Sequence, residues 1–189
     1  MRSLLAIVAL LLAGMMGCAR RAGPDETEAA AENGQSAANT LDMSPAAVLT
    51  RLGGQVMRDS DGRAKSITLA AGNCNDAALQ YVAEFPSVEG LNLRDTEVGD
   101  AGLACLRPLA NLRRLVLAHT RVTDEGLAEV ARLPQIELLD LEGTRVTNAG
   151  LERLHALKGL RRLDLTATRV TDSGVERLRA ALPGVHITR

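Results

Sequence analysis

The sequence predicts an α/β solenoid built from repeated strand and helix units, and three observations predict it. The stretch LRRLVLAHTRVTDEGL from Leu112 to Leu127 returns as IELLDLEGTRVTNAGL from Ile136 and as LRRLDLTATRVTDSGV from Leu160, and it is preceded by VEGLNLRDTEVGDAGL from Val88. Each copy lies 24 positions from the next without a gap, and a fixed period of this length marks a solenoid. Two periodicities share each unit: Leu115 and Leu117 alternate like a half-buried strand, whereas Leu127 and Val130 keep the spacing of a helix face. Finally, 46% of the residues are hydrophobic but Tyr81 and Phe85 are the only aromatics, so the core has to be aliphatic.

From the N-terminus, residues 1–18 carry Arg2, an apolar run from Leu4 to Ala13, and the ending Gly14-Met15-Met16-Gly17-Cys18. The run falls short of the roughly 20 residues that span a bilayer and reads as an export signal. Small residues before a cysteine resemble the bacterial lipobox, with Met15 where Leu is usual. The resemblance implies lipidation of Cys18 as the mature N-terminus; ordinary cleavage or an uncleaved anchor are the alternatives. Ala19 is not the Asp that favours inner-membrane retention, so the resemblance points to an outer-membrane lipoprotein facing the periplasm. Residues 19–43, rich in Ala, Glu, Gly, Asn, Ser and Pro, have little to bury and are expected to form a disordered tether, with a root-mean-square span of about 25–30 Å.

Residues 44–63 are expected to cap the first repeat, because a solenoid end otherwise exposes core. Ser44-Pro45 has the form of a helix start that runs through Leu49 and Leu52 to Gly53-Gly54. Two strand-like runs then flank Asp61-Gly62, a hairpin dipeptide. The cluster Asp59-Ser60-Asp61-Gly62 lacks the later ligands of a calcium loop and reads as a turn. The repeats occupy residues 64–189. A degraded first unit keeps Ile67, Leu69, Asp76 and Leu79, and Leu182, Val185 and Ile187 copy the spacing of Leu160, Leu163 and Leu165 as a closing strand.

The pattern LxxLxLxxT resembles the leucine-rich repeat family over residues 64–189, and its Thr-x-Val-Thr-Asp-x-Gly-Leu half resembles the ribonuclease-inhibitor-like and F-box-associated subtype with true helices. That resemblance implies a short horseshoe arc with a parallel sheet on the concave side and helices on the convex side. Thr96, Thr120, Thr144 and Thr168 stand where many members carry Asn and are expected to satisfy backbone groups in the turn. Asp100, Asp124, Asn148 and Asp172 are good helix N-caps, a role that adjacent Thr123, Thr147 and Thr171 could share. Gly102, Gly126, Gly150 and Gly174 are costly in a helix, which points to a neighbour too close for a Cβ.

Chemistry-bearing motifs are missing from the sequence: there is no nucleophile elbow, phosphate loop, dinucleotide fingerprint or HExxH. His119, His155 and His186 do not cluster. Cys18, Cys74 and Cys105 have neither disulfide-framework nor zinc spacing; Cys74 shares a buried column with Val98, Val122, Val146 and Val170, and Cys105 is expected to be exposed. No metal or cofactor is expected. A net charge of -1 and the lack of aromatic platforms argue against nucleic acid.

Function is therefore expected on a surface, as a noncatalytic protein-protein interaction scaffold tethered to the bacterial cell envelope. The predicted concave face displays Asn92, Arg94 and Asp95; Arg114, Val116 and His119; Leu138, Asp140 and Glu142; and Arg162, Asp164 and Thr166. Such a mixed face suits a protein or peptide partner of a monomeric chain; an idle solvated sheet is the plain alternative. The second functional reading is an inhibitor or accessory subunit of an envelope enzyme. Arg121, Arg145 and Arg169 form a second column that could take an anionic partner or be screened by Glu125, Glu152 and Glu176.

Overall fold

The computed structural model describes residues 44–69 and 74–189. The signal, Cys18 and the tether assigned to residues 1–43 lie outside the described residues. Among the described residues, seven strands form one sheet in sequence order. β1 (Gln55–Arg58) is antiparallel to β2 (Ala64–Thr68). Parallel to β2 follow β3 (Gly90–Asn92), β4 (Arg114–Val116), β5 (Leu138–Asp140), β6 (Arg162–Asp164) and β7 (His186–Thr188). The expected α/β leucine-rich repeat solenoid is the observed fold.

Helices return the chain between strands. α1 (Pro45–Arg51) precedes β1; a 3-10 turn at Asp76–Ala78 leads into α2 (Leu79–Val82); α3 (Asp100–Leu103), α4 (Asp124–Val130), α5 (Asn148–Arg153) and α6 (Asp172–Ala181) follow β3, β4, β5 and β6. Short 3-10 turns extend α3 through Ala104–Leu106 and α5 through Leu154–Ala156. Side chains alternate across a strand, so the middle residues Ile67, Leu91, Leu115, Leu139, Leu163 and Ile187 point to the helices and form one buried row, while their neighbours stand on the open face. The row of Leu69, Leu93, Leu117, Leu141 and Leu165 is also buried. Ser44 accepts a hydrogen bond from the Ala47 amide at the start of α1, and the Asp59 carboxylate accepts from the Asp61 and Arg63 amides in the β1–β2 turn.

The turns after β3, β4, β5 and β6 are held by the threonine column. Thr96, Thr120, Thr144 and Thr168 donate their hydroxyls to the carbonyls of Leu93, Leu117, Leu141 and Leu165, at 2.6–2.7 Å. The residue before each threonine is left-handed: Asp95, His119, Gly143 and Ala167 have φ between 55° and 67°.

The aspartate column works differently from the expectation. Thr123, Thr147 and Thr171 are the N-caps, and Asp124, Asn148 and Asp172 are the first helical residues. Their side chains reach forward into the next repeat. Asp100 Oδ1 accepts from the amides of Thr123 and Gly126, and its Oδ2 from the Thr123 hydroxyl. Asp124 accepts from the Thr147 amide and hydroxyl. Asn148 takes the Thr171 amide on Oδ1 and donates to the Thr171 hydroxyl. These forward side chains explain the helical glycines, because a Cβ at Gly102, Gly126, Gly150 or Gly174 would collide with Asp76, Asp100, Asp124 or Asn148. Ala78 holds the same position in the first unit, where no earlier repeat projects a carboxylate.

Two further expectations are corrected. Ile187 pairs with Leu163 rather than occupying the place of Leu165, so the 24-residue register persists to the last strand. Cys105 is half-buried against the core rather than exposed. Cys74 is buried, and burial together with the nearby Asp76 charge pushes its thiol up to about 11. It stays protonated and inert at neutral pH.

Candidate interaction face

The open face of the sheet is a grid whose rows cross the strands and whose columns follow them. The first row is Ser66, Gly90, Arg114, Leu138, Arg162 and His186; the second is Thr68, Asn92, Val116, Asp140, Asp164 and Thr188. Arg94, Glu142 and Thr166 continue this face into the turns, and Asp95 and His119 stand at its rim. All twelve residues picked out by the sequence lie along this face or its rim. The structure does not bring them into a single cluster; it sorts them by charge and by partner.

At the turn end of the strands, Arg94 Nη2 forms an ion pair with Glu142 Oε2 at 3.0 Å, and Arg94 Nε lies 3.7 Å from Asp95 Oδ2. This pair spans two repeats and passes over Ala118, which is fully buried. The His119 imidazole packs over Gly143 and approaches Glu142 at 3.6 Å. These four charged or titratable groups thus satisfy one another.

The strand rows themselves are less self-contained. Among the described residues, neither Arg114 nor Arg162 has an ion-pair partner, and both are exposed. Half-buried Leu138 stands between them, and the Arg114 guanidinium lies beside Gly90. In the second row, Asp140 Oδ1 accepts the Glu142 amide, and Asp164 Oδ1 accepts the amide and hydroxyl of Thr166. Asn92 Oδ1 takes the Arg94 amide in the same way. One oxygen of each aspartate thus shapes the turn and the other is left for solvent or a partner. Half-buried Val116 completes this row as an apolar element.

Gly90, Ala118 and His186 belong to the face but escaped sequence reasoning. Gly90 is a small strand residue and Ala118 a small turn residue, where the signal is the absence of a side chain; the sequence placed His186 in the last strand but not among the face residues. On the neighbouring edge, Arg121 pairs with Glu97 at 2.9 Å rather than with Glu125, and Glu152 approaches Arg177 rather than Arg145. Among the described residues, Arg145 and Arg169 have no ion-pair partner.

Elsewhere several charges are matched. On the strand-entry edge Glu137 binds Arg113 at 3.0 Å and Arg161 at 3.8 Å, beside a shallow cleft of about 310 Å³ that does not open on the interaction face. On the helix side Arg107 grips Glu129 with two hydrogen bonds and Arg132 adds a third contact, which lowers the Glu129 carboxyl and raises the Arg107 guanidinium. His155 is half-buried in a 3-10 turn, with its Nε2 shielded and unpartnered among the described residues. Among those residues no group of three or more His, Cys, Asp or Glu side chains could hold a metal ion, and no helix is long and apolar enough to cross a membrane.

The stacked units form a leucine-rich repeat fold, and part of the chain is similar to the leucine-rich repeat family. The leucine-rich repeat family model matches residues 86–106 and 109–131. Similar solved structures include a leucine-rich repeat protein of Leptospira interrogans, at 22% identity over 58% of this chain and 27% of that one, with a TM-score of 0.48. An internalin of Listeria monocytogenes is 19% identical over 57% of this chain and 36% of its own, with a TM-score of 0.42. The ectodomain of the Arabidopsis receptor kinase HAESA, solved with a peptide hormone, is 14% identical over 65% and 22%, with a TM-score of 0.48. This chain spans only 22–36% of the length of these three structures. No curated protein matches the sequence.

Proposed function

We propose that this protein is a noncatalytic scaffold, tethered to the bacterial cell envelope by a lipid on Cys18, whose concave face captures a protein or peptide partner. The observation that carries the reading is the placement of unmatched charge around apolar side chains on one open sheet face. Arg114, Arg162 and the outer oxygens of Asp140 and Asp164 stand around Leu138 and Val116. Unpaired charges around an apolar centre are the polar rim and core of an interface. The residues between the repeating letters therefore carry the specificity, and the repeating letters carry the scaffold. Ala19, rather than Asp, after the proposed lipidated Cys18 favours the outer membrane facing the periplasm, with residues 19–43 as the tether of a monomeric chain.

The test is a crosslinking capture from the native envelope with wild-type chain and with the pair Arg114→Glu, Asp140→Lys. A partner specific to the concave face is retained by the first and lost by the second; capture that survives the charge reversal removes the face from the function. The anchor is tested separately with a palmitate label. Label is expected on the wild type and not on Cys18→Ser, and label that persists on the variant overturns the lipid assignment.

A further inference from the structure

The proposed concave-face reading leaves the partner's chemistry open, and the grid of charges narrows it. Consider the column of β5. Leu138 lies between Arg114 and Arg162, and Asp140, two residues further along the same strand, lies between Val116 and Asp164. Adjacent strands are about 4.8 Å apart and same-face neighbours on one strand about 6.7 Å apart. The two arginine positions therefore flank one station on β5, with the Arg114 guanidinium resting beside Gly90 and free to turn toward Leu138, and two outward carboxylate oxygens meet at the next. The order of charge along this track is fixed by the backbone, because the Arg residues start their strands and the Asp residues end them.

We infer that the concave face binds an extended peptide segment lying along β5, with an acidic side chain over Leu138 between Arg114 and Arg162, and a basic side chain two residues away over Asp140 beside Asp164. An extended partner repeats its own same-face side chains every two residues, which is the spacing between these two stations. The acidic side chain lays its methylene groups on Leu138 while its carboxylate meets both guanidinium groups. At the other station the aliphatic stem of a Lys or Arg covers Val116 and its charged head reaches the aspartates. A polyanion such as a nucleic acid strand or an anionic lipid surface fits less well, because the same Asp140, Asp164 and Glu142 that attract a basic side chain repel it.

The carboxylate station can be neutralised without breaking its turns. Asn92 already shows that an amide oxygen accepts the turn amide at this row, so Asp140→Asn with Asp164→Asn removes charge and keeps an acceptor. Arg114→Gln with Arg162→Gln does the same at the other station, where among the described residues neither guanidinium has an ion-pair partner to lose.

The experiment measures fluorescence polarisation of labelled nonapeptides with the full chain and with the two double variants. The peptides share one β-prone Thr/Val background and carry Glu and Lys at a separation of one, two or three residues, in both orders, alongside Glu-only and Lys-only controls. One order at a separation of two is expected to bind best, about fivefold or more tighter than its composition isomers, as two surface ion pairs allow. The arginine variant should stop distinguishing this peptide from the Lys-only control, and the aspartate variant should stop distinguishing it from the Glu-only control. Equal binding of the isomers, unchanged preferences in both variants, or no binding of any peptide overturns the inference. The concave-face reading fails separately, through a native partner still captured by Arg114→Glu, Asp140→Lys; loss of that capture together with equal binding of the isomers sinks only the paired-charge peptide.

Discussion

Asp124 holds two hydrogen bonds that belong to the following repeat, at 2.8 Å to the Thr147 amide and 2.6 Å to its hydroxyl. Cutting the side chain back leaves a part-buried amide without its acceptor, a loss of about 1–3 kcal/mol. Asp172 occupies the same repeat position, but its carboxylate is 90% exposed and among the described residues bonds only Arg189. Urea titration should therefore show Asp124→Ala losing about 1–3 kcal/mol and Asp172→Ala about 0.5 kcal/mol or less. Asp124→Asn should fall near wild type, because Asn148 already performs this task. Equal losses for the two alanine variants would mean that the forward bonds carry no stability. The column of acidic residues was legible from the 24-residue period, but its direction was not. A repeat puts equivalent residues at equal spacing whether each one serves its own helix or the next, and only the coordinates separate the two.

Helix α4 shows the same coupling at the level of an element. Gly126 sits within its first turn, where alanine would be favoured by up to about 1 kcal/mol on propensity alone. Against that gain, the new methyl would collide with the Asp100 carboxylate and approach Leu103 Cδ1 within 2.9 Å. Displacing Asp100 would also release the amides of Thr123 and Gly126 and the Thr123 hydroxyl. Packing and hydrogen bonding outweigh propensity, so Gly126→Ala should lower stability by about 2 kcal/mol. Gly159, whose added Cβ would meet nothing closer than 3.7 Å, is the control and should change by about 0.5 kcal/mol or less on substitution by alanine. Thermal melts of the two variants decide the matter, and a stabilised Gly126→Ala would refute the steric account. A close neighbour at these glycines was readable from their cost in a helix. That the neighbour is a carboxylate one repeat back was not, because its side-chain direction depends on how successive units stack.

At the scale of the whole molecule, each repeat touches its neighbours on either side, so stability is distributed along the stack. Strands and helices were legible because one pattern, repeated, separates buried from open positions. The β7 register was not, because Leu182, Val185 and Ile187 copy an earlier spacing by coincidence while the sheet continues its own. The two ends of this comparison differ in burial: Leu139 in β5 is completely buried, while Ile187 in the edge strand β7 is 8% exposed. Leu139→Ala removes packing shared by β4, β5 and β6 and should cost about 3–5 kcal/mol, with faster amide exchange on both sides of the lesion. Ile187→Ala should cost about 2 kcal/mol, with exchange raised in β7 and protection in β4 unchanged. Hydrogen exchange resolved by strand reads both outcomes. If the Ile187 lesion opened β4 as readily as β7, the stack would unfold as one indivisible unit and the nearest-neighbour description would fail. If β4 stays protected, the interaction face around Arg114, Leu138 and Asp140 rests on the most stable part of the sheet. Its side chains are then held in register without help from a partner, so little ordering of the scaffold opposes binding.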